Sequence, residues 1–275
     1  MKRLKKIFFV FFSILTIIFC LSNYNDNKAF CSLEYKKEDI SKLFYKNDIS
    51  DEDLKLIYRQ TGISPLIAKK LIESENYAVL EKLNDLYFKK PLFKKKYIAF
   101  LVTVEELNNF QITPVADLEK GDILISFNTH TFLWRHGHSA IVLDEDGTLL
   151  EHLAVGEKSC LTNAKDWGRY PSFIVLRHKD KKIASLAADY AKEKLVGIDY
   201  NIMAGILKKD KSDEKFLKSS HCSHLVWQAY KAVGIDIDSN KGVVVTPLDI
   251  TNSNDLNVVQ IYGCNPEKYQ NRILQ

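Results

Sequence analysis

Residues 219–230 read SSHCSHLVWQAY, a pattern that predicts a helix beginning close to Cys222. Serine favours a helix start because its hydroxyl accepts hydrogen bonds from the first free amides. Apolar residues then recur at helical spacing, so we expect the helix to span residues 219–233. Cys222 lies on the same apolar stripe, near unpaired amides and the positive end of the helix dipole, which lower a thiol pKa. The position therefore fits either a buried core cysteine or an activated thiol.

Residues 134–153, which read WRHGHSAIVLDEDGTLLEHL, supply a possible basic partner for that thiol. The turn residues DEDG separate two apolar runs, which predicts a β-hairpin. A connection of two or four residues pairs residue 143 with residue 148. His138 and Glu151 then become diagonal neighbours on one face, with backbones roughly 7 to 8 Å apart. An odd-length connection would bring His152 beside His138 instead, so His152 is the alternate orienting residue.

Five separated blocks of the chain together resemble one bacterial enzyme family. They are a Gly-Asp-Ile strand at 121–123, a Gly-His strand at 137–138, a strand with Glu151, a Gly-x-x-Tyr block at 197–200 and a Cys-Ser-x-Leu-Val-Trp helix from Cys222. In this order they are similar to the circularly permuted papain-like hydrolases of the NlpC/P60 superfamily, in its YiiX/YebB-like or YycO-like branch. The resemblance runs from about residue 114 to about residue 253.

This resemblance implies an α+β fold, in which the cysteine helix packs against an antiparallel half-barrel sheet of the permuted papain-like type. It also implies a thiol protease-type site without a cofactor. By position, Cys222 matches the nucleophile of the family, His138 the base, and Glu151 the polar group that orients the base.

Four further residues are expected near the substrate or the oxyanion: His221, Ser223, Trp134 and Tyr200. The family usually has a tyrosine immediately before the cysteine, where its hydroxyl or amide lies near the oxyanion. This chain has His221 there, so the donor at that position differs. Exposed aromatic side chains near a site often contact ligand, which is the reason to expect Trp134 and Trp167 at the cleft.

Zinc binding is a competing interpretation of the same residues. His136 and His138 share a strand face, while His221 and His224 flank Cys222, and imidazole with thiolate suits zinc. The chain lacks a repeated spacing such as Cys-x-x-Cys, so we expect no metal site. Two other histidines, His130 and His178, are expected to be solvated.

The amino-terminal residues have the pattern of an export signal. Four basic residues precede an apolar run at 7–21, and a polar segment follows at 22–28. The run of about 15 residues is shorter than the roughly 20 that span a bilayer, which favours cleavage, here after Ala29. An uncleaved membrane anchor is the alternative. Either outcome predicts a secreted or cell-envelope protein.

The charge and the cysteines exclude other classes of protein. The formal net charge is +4, and the four basic residues of the leader account for all of it, which argues against a nucleic-acid partner. Cys31, Cys160 and Cys264 would accompany Cys222 after export. Their spacing is irregular and the chain is long enough for a core, so we predict no disulfide framework.

The chain divides by pattern into a signal peptide at 1–29, a helical amino-terminal domain at 30–112 and the cysteine hydrolase domain at 113–275. Helices are expected at 51–62, 65–74, 77–90 and 183–195, and strands at 121–127, 139–143, 148–153, 173–177, 243–245 and 258–262. The helix-turn-helix spacing near the amino terminus would suggest DNA recognition in an intracellular protein. Behind an export signal, a packing or wall-facing role fits better.

These patterns and the resemblance together predict an exported cysteine hydrolase that acts through an acyl-thioenzyme. The substrate, an amide bond in peptidoglycan stem peptides, is what the resemblance alone implies. Two alternatives remain open: a lipid esterase or acyltransferase of the same fold, and a non-catalytic cell-surface binding protein. Contact with a membrane is expected only through an uncleaved leader.

Overall fold

A computed structural model of the protein describes residues 6, 8–14, 29–46, 48–99, 102–108, 112–131, 134–204 and 218–275. Its helices are α1 (Asp51–Thr61), α2 (Pro65–Glu73), α3 (Tyr77–Tyr87), α4 (Lys181–Lys194), α5 (Cys222–Ala232) and α6 (Pro247–Thr251). Its strands are β1 (Phe93–Ala99), β2 (Val102–Leu107), β3 (Ile123–Ser126), β4 (Thr129–Thr131), β5 (Trp134–Arg135), β6 (His138–Val142), β7 (Thr148–Glu151), β8 (Cys160–Asn163), β9 (Phe173–His178), β10 (Asp199–Tyr200), β11 (Ser219–Ser220) and β12 (Leu256–Tyr262). Short 3-10 helices span Ser41–Leu43, Ala164–Arg169 and Pro266–Arg272.

A six-stranded sheet forms the centre of the fold, with strand order β12-β9-β3-β6-β7-β8. All of its neighbouring strands are antiparallel. On one face, Ile141 and Leu150 pack in a buried cluster with Leu225 of α5. On the other face, Leu124 packs in a second buried cluster with Trp167. The predicted mixture of helices with an antiparallel sheet is therefore confirmed.

The helices α1 and α2 begin and end where the sequence predicts. Ser50 caps α1 in a capping box with Asp53, and Gly62 ends the helix with φ of 73°. A side chain at Gly62 would also collide with the backbone oxygen of Ile261, since a Cβ there would lie 1.9 Å from it. The third helix ends at Tyr87, three residues before the predicted end at residue 90.

These amino-terminal helices share a core with the central sheet. Ile57 and Tyr87 belong to buried clusters that also contain sheet residues such as Tyr262. The Ser64 amide donates to the Val259 carbonyl at 2.9 Å, and the Tyr87 hydroxyl donates to the Cys264 carbonyl at 2.9 Å. The helical segment thus braces the β12 edge of the sheet.

The expectation that residues 30–112 are helical is wrong for residues 93–107. These residues form an antiparallel hairpin, β1 and β2, which continues through β4 and β5 into a four-stranded sheet. The physical reason is the two-residue alternation of β2, whose apolar Val102 and Val104 are buried and pair with Thr131 and Thr129. This pairing joins the hairpin to strands of the predicted hydrolase region.

Two further expectations about individual elements are wrong. Residues 243–245 are not a strand: none of the described strands pairs with them, and the chain enters α6 through the capping residue Thr246. The cysteine helix begins at Cys222 rather than at Ser219, because Ser219 and Ser220 pair in parallel with Asp199 and Tyr200.

The predicted export leader lies mostly outside the described residues, which lack 1–5, 7 and 15–28; residues 8–14 are helical. Within the described part of the chain, no helix combines the length and apolar character that a membrane crossing requires.

Candidate active site

The start of α5 holds Cys222 as the first residue of the helix. His221 is its cap, with extended backbone, and its Nδ1 accepts a hydrogen bond from the His224 amide at 3.4 Å. The Ser223 hydroxyl donates to the Val245 carbonyl at 2.8 Å, which fixes the first turn against the segment before α6. Cys222 is 9% exposed, so its thiol is nearly covered but remains at the surface of the helix end.

The hairpin of β6 and β7 has the register that the turn sequence predicts. Ala140 pairs with Glu151, and the Leu143 amide bonds the Thr148 carbonyl at 2.8 Å. As a result His138 Nε2 lies 2.6 Å from Glu151 Oε2. Of the two residues expected to orient His138, Glu151 is therefore the one that contacts it, and the alternate His152 is not.

His138 also interacts with Cys222, which joins the two distant segments of the chain. Since Glu151 occupies Nε2, Nδ1 is the ring nitrogen left for the thiol. Burial opposes the charged imidazole, but hydrogen bonds with Cys222 and Glu151 outweigh it and raise the pKa of His138 to about 10. Burial likewise raises the thiol pKa of Cys222, but its interactions with His138 and His221 hold that pKa well below 9.0. Both shifts favour an ion pair of thiolate and imidazolium over the neutral thiol and imidazole.

The carboxylate of Glu151 is held on both of its oxygens. The Thr162 hydroxyl on β8 donates to Oε1, while His138 contacts Oε2. Burial would raise the pKa of Glu151, but the hydrogen bond and charge of His138 lower it below its ordinary value. The glutamate is thus ionised and fixes the ring orientation of His138.

His152 is a buried residue that directly follows Glu151 at the end of β7. It is 1% exposed, and neither ring nitrogen has a hydrogen-bond partner among the residues that the structure describes. Its ring meets the edge of Tyr200 at a centroid distance of 5.4 Å and an interplanar angle of 88°. Burial lowers the pKa of His152 to about 4, against an opposing electrostatic attraction to Cys222. The imidazole is therefore neutral at neutral pH, and Tyr200 links it to Ser220, two residues before Cys222.

Three other residues expected at the site differ in their exposure and contacts: Trp134, Trp167 and Ser223. Trp134 is 46% exposed and packs beside His136, with ring centroids 5.4 Å apart. Trp167 is buried and lies on His138, so it covers the imidazole rather than lining an open cleft. Ser223 is buried, and its hydroxyl donates a hydrogen bond to the Val245 carbonyl, so this residue stabilises the helix start.

The histidines outside this group are not arranged as the sequence suggests. His130 and His178 are buried rather than solvated, and His130 Nε2 lies 3.3 Å from Glu105 Oε1. His136 contacts the Thr131 hydroxyl at 2.9 Å. Among the residues that the structure describes, no group of three or more His, Cys, Asp or Glu side chains is placed to hold a metal ion. Cys31, Cys160, Cys222 and Cys264 are free thiols.

A cavity of about 330 Å³ opens beside His138, under the hairpin of β1 and β2. This hairpin differs from the helices expected there, although the alternation of Val102 and Val104 indicates a strand. Charged groups of both signs meet in the cavity: Lys96 Nζ lies 3.7 Å and Arg169 Nε 3.4 Å from Glu106 Oε1. The remaining lining residues are Tyr97, Ile98, Val104, Thr129, Leu153, Ala154, Glu157 and Tyr170.

The comparison with known proteins gives one curated relative. The uncharacterized protein YycO of Bacillus subtilis is 31% identical to this chain over 135 residues. The match covers 49% of this chain and 52% of that protein, so the chain spans about half the length of the curated relative it matches. No family model and no solved structure matches the chain. The chain is thus similar to a YycO-like protein over about half its length.

Proposed function

We propose that this protein is an exported cysteine hydrolase of the permuted papain-like, NlpC/P60-type fold, and that it cleaves an amide bond in peptidoglycan stem peptides. The observation that carries the proposal is the position of His138, which interacts with Cys222 and lies 2.6 Å from Glu151. A thiol, a base and a group that orients the base are the parts that nucleophilic catalysis by cysteine requires.

The chemistry follows from the charge state of these groups. The Cys222 thiolate attacks the carbonyl carbon, a C–S bond forms, and the carbonyl electron pair moves to oxygen. Backbone amides at the start of α5 stabilise that oxyanion, as donors placed where charge develops. The C–N bond then breaks, and His138 gives its proton to the leaving amine. Water, deprotonated by His138, hydrolyses the thioester and releases the acid.

Several features support the papain-like fold. The base precedes the nucleophile along the chain, on a strand of an antiparallel sheet, and the nucleophile begins a helix that packs on that sheet. This is the order expected of a permuted member of the family. The similarity to YycO supports the branch.

The cavity beside His138, which Cys222 does not itself line, carries charges that support a peptide over a lipid substrate. Lys96 and Arg169 line it together with Glu106 and Glu157, so it presents cations and anions close together. A stem peptide carries both amino and carboxylate groups, which can pair with these charges, whereas an acyl chain is uncharged and cannot. The apolar run behind four basic residues supports delivery to the cell envelope, where such peptides occur.

The test is to incubate the purified protein with muropeptides and, in parallel, with a glycerolipid, and to identify products by mass spectrometry. We expect cleavage of the muropeptide that Cys222→Ala abolishes and the matched Cys264→Ala variant retains. Burial raises the pKa of the Cys264 thiol to about 12, so this control removes an unreactive cysteine.

Cleavage of the lipid alone would replace the amidase with an esterase or acyltransferase. Hydrolysis that persists in Cys222→Ala would contradict the cysteine mechanism. A folded protein that turns over neither substrate and whose Cys222 reacts slowly with iodoacetamide would be a binding protein.

A further inference from the structure

His152 is a buried polar residue that the Cys222–His138–Glu151 mechanism leaves without a role. A neutral imidazole has one N–H donor and one acceptor nitrogen, and within the described part of the chain neither nitrogen of His152 has a partner. Buried polar atoms in folded proteins are nearly always hydrogen-bonded, and an exception calls for a physical reason. One such reason is a ligand that arrives only when the site is working.

His152 reaches the start of α5 through Tyr200, because its ring edge packs on Tyr200 and Tyr200 pairs with Ser220, two residues before Cys222. Successive side chains along a strand leave on opposite faces. Glu151 points to the face where His138 and Trp167 meet, whereas Leu150, two residues before His152, packs with Leu225 of α5. His152 accordingly interacts electrostatically with Cys222 and His221 at the start of that helix.

We propose that His152 is a further catalytic residue, which donates a ring N–H to the oxyanion that forms when Cys222 attacks a carbonyl group. This inference rests on the proposed function and adds to it a side-chain donor beside the backbone amides of α5. The role requires a neutral ring with a free N–H, in a place from which bulk water is excluded. No proton is transferred: the hydrogen bond strengthens as negative charge moves from sulfur to the carbonyl oxygen.

The environment of His152 keeps it in the required state. Its ring edge packs on Tyr200, and the charged or titratable groups that act on it are Cys222, His221, His138 and Asp199. Burial keeps the imidazole neutral at neutral pH, so it donates a hydrogen bond without competing with His138 for the thiol proton.

Two electrophiles that react with Cys222 can distinguish whether His152 stabilises the oxyanion or helps to form the thiolate. Iodoacetamide is attacked at a saturated carbon, so no oxyanion forms, and its rate reports the thiolate alone. p-Nitrophenyl acetate is attacked at a carbonyl, so its acylation burst also depends on the oxyanion donors. Both reagents are used with the full chain, and neither requires the natural substrate.

The decisive variant is His152→Phe, which keeps a flat ring against Tyr200 but removes the N–H. We expect acylation of Cys222 to fall by about 10²-fold, the usual effect of losing one oxyanion donor, while alkylation by iodoacetamide stays at the wild-type rate. His152→Asn and His152→Gln restore a neutral N–H near Nδ1 and Nε2 respectively, and at least one of them should recover tenfold or more over His152→Phe.

Three outcomes would overturn the assignment: a fall in acylation of less than tenfold in His152→Phe, an equal fall in acylation and alkylation, or no recovery in either amide variant. If His152→Phe does not fold, His152→Asn and His152→Gln are compared directly with wild type. A loss of acylation of tenfold or more in both variants would then contradict the role of His152. Failure of the proposed function is distinct: wild-type Cys222 would react slowly with both reagents if the cysteine mechanism failed, and the muropeptide would remain uncleaved if only the substrate were wrong.

Discussion

The indole of Trp167 lies over the imidazole of His138, with ring centroids 5.6 Å apart and ring planes 24° apart. Trp167 comes from the 3-10 helix after β8 and is itself held edge-on by Tyr170, at 5.3 Å and 89°. Its ring therefore covers one face of the imidazole and keeps water from the His138–Glu151 hydrogen bond. A hydrogen bond to a charged group is stronger in such a dry environment than in water.

Replacing Trp167 should change the ionisation of His138 as well as the stability. In Trp167→Leu water reaches the imidazole, which relieves the burial that opposes its charge but also weakens its bonds to Glu151 and Cys222. Because those bonds outweigh burial in the native site, we expect the pKa of His138 to fall from about 10 toward 6.5. Trp167→Phe keeps an aromatic ring on His138 and should retain most of that shift. NMR titration of the imidazole in both variants checks this, and equal titration curves would contradict a shielding role.

The pH dependence of the wild-type protein should have two different limbs. The lowered pKa of Cys222 keeps thiolate present well below pH 9.0, so alkylation by iodoacetamide should persist at neutral pH, where an ordinary thiol reacts slowly. Hydrolysis also needs the proton of His138, so it should fall as the pH rises through about 10, while alkylation does not. The two limbs belong to the coupled pair rather than to either residue alone. Parallel alkaline limbs for both reactions would contradict the role of His138 as the proton donor.

Glu151→Gln should slow both acylation and alkylation, since the carboxylate stabilises the imidazolium that accompanies the thiolate. We expect a smaller loss than the roughly 10² to 10⁴-fold that follows removal of a general base. Thr162→Val frees Glu151 Oε1 and should produce the same change to a lesser extent. The matched control is Thr148→Val, on the neighbouring strand β7. Unaltered rates in Glu151→Gln would remove the glutamate from the mechanism.

The sequence was sufficient for the part of the site that depends on local pairing. The turn at 144–147 sets the register of β6 and β7, and this register alone brings Glu151 to His138. The side chains that reach the pair from elsewhere could not be predicted in this way. Thr162 arrives because β8 pairs with β7, and neither strand length nor periodicity specifies that partner.

The hairpin of β1 and β2 shows why the outer part of the fold was harder to predict. Three consecutive lysines at 94–96 suggest a solvated surface, and they are indeed exposed, but on an edge strand that pairs with β2. The burial of His130 and His178 was also not predictable from the neighbouring sequence. His130 has no local signal for burial, and it is accommodated through Glu105, which also binds Arg135 at 2.7 Å.

Gly121 begins the β3 segment in a place where a side chain has no room. Its φ is 91°, and a Cβ there would lie 2.3 Å from the Ala184 carbonyl oxygen of α4. Gly234, after α5, has φ of 90°, but none of the atoms that the structure describes would lie within 4 Å of a Cβ there. Because the backbone strain of alanine is the same at both positions, the difference between the two variants measures the collision alone. We expect Gly121→Ala to lower the free energy of unfolding by about 1 to 3 kcal/mol more than Gly234→Ala, the usual cost of overpacking. Urea unfolding followed by circular dichroism measures both values, and equal losses would mean that α4 moves freely away from β3.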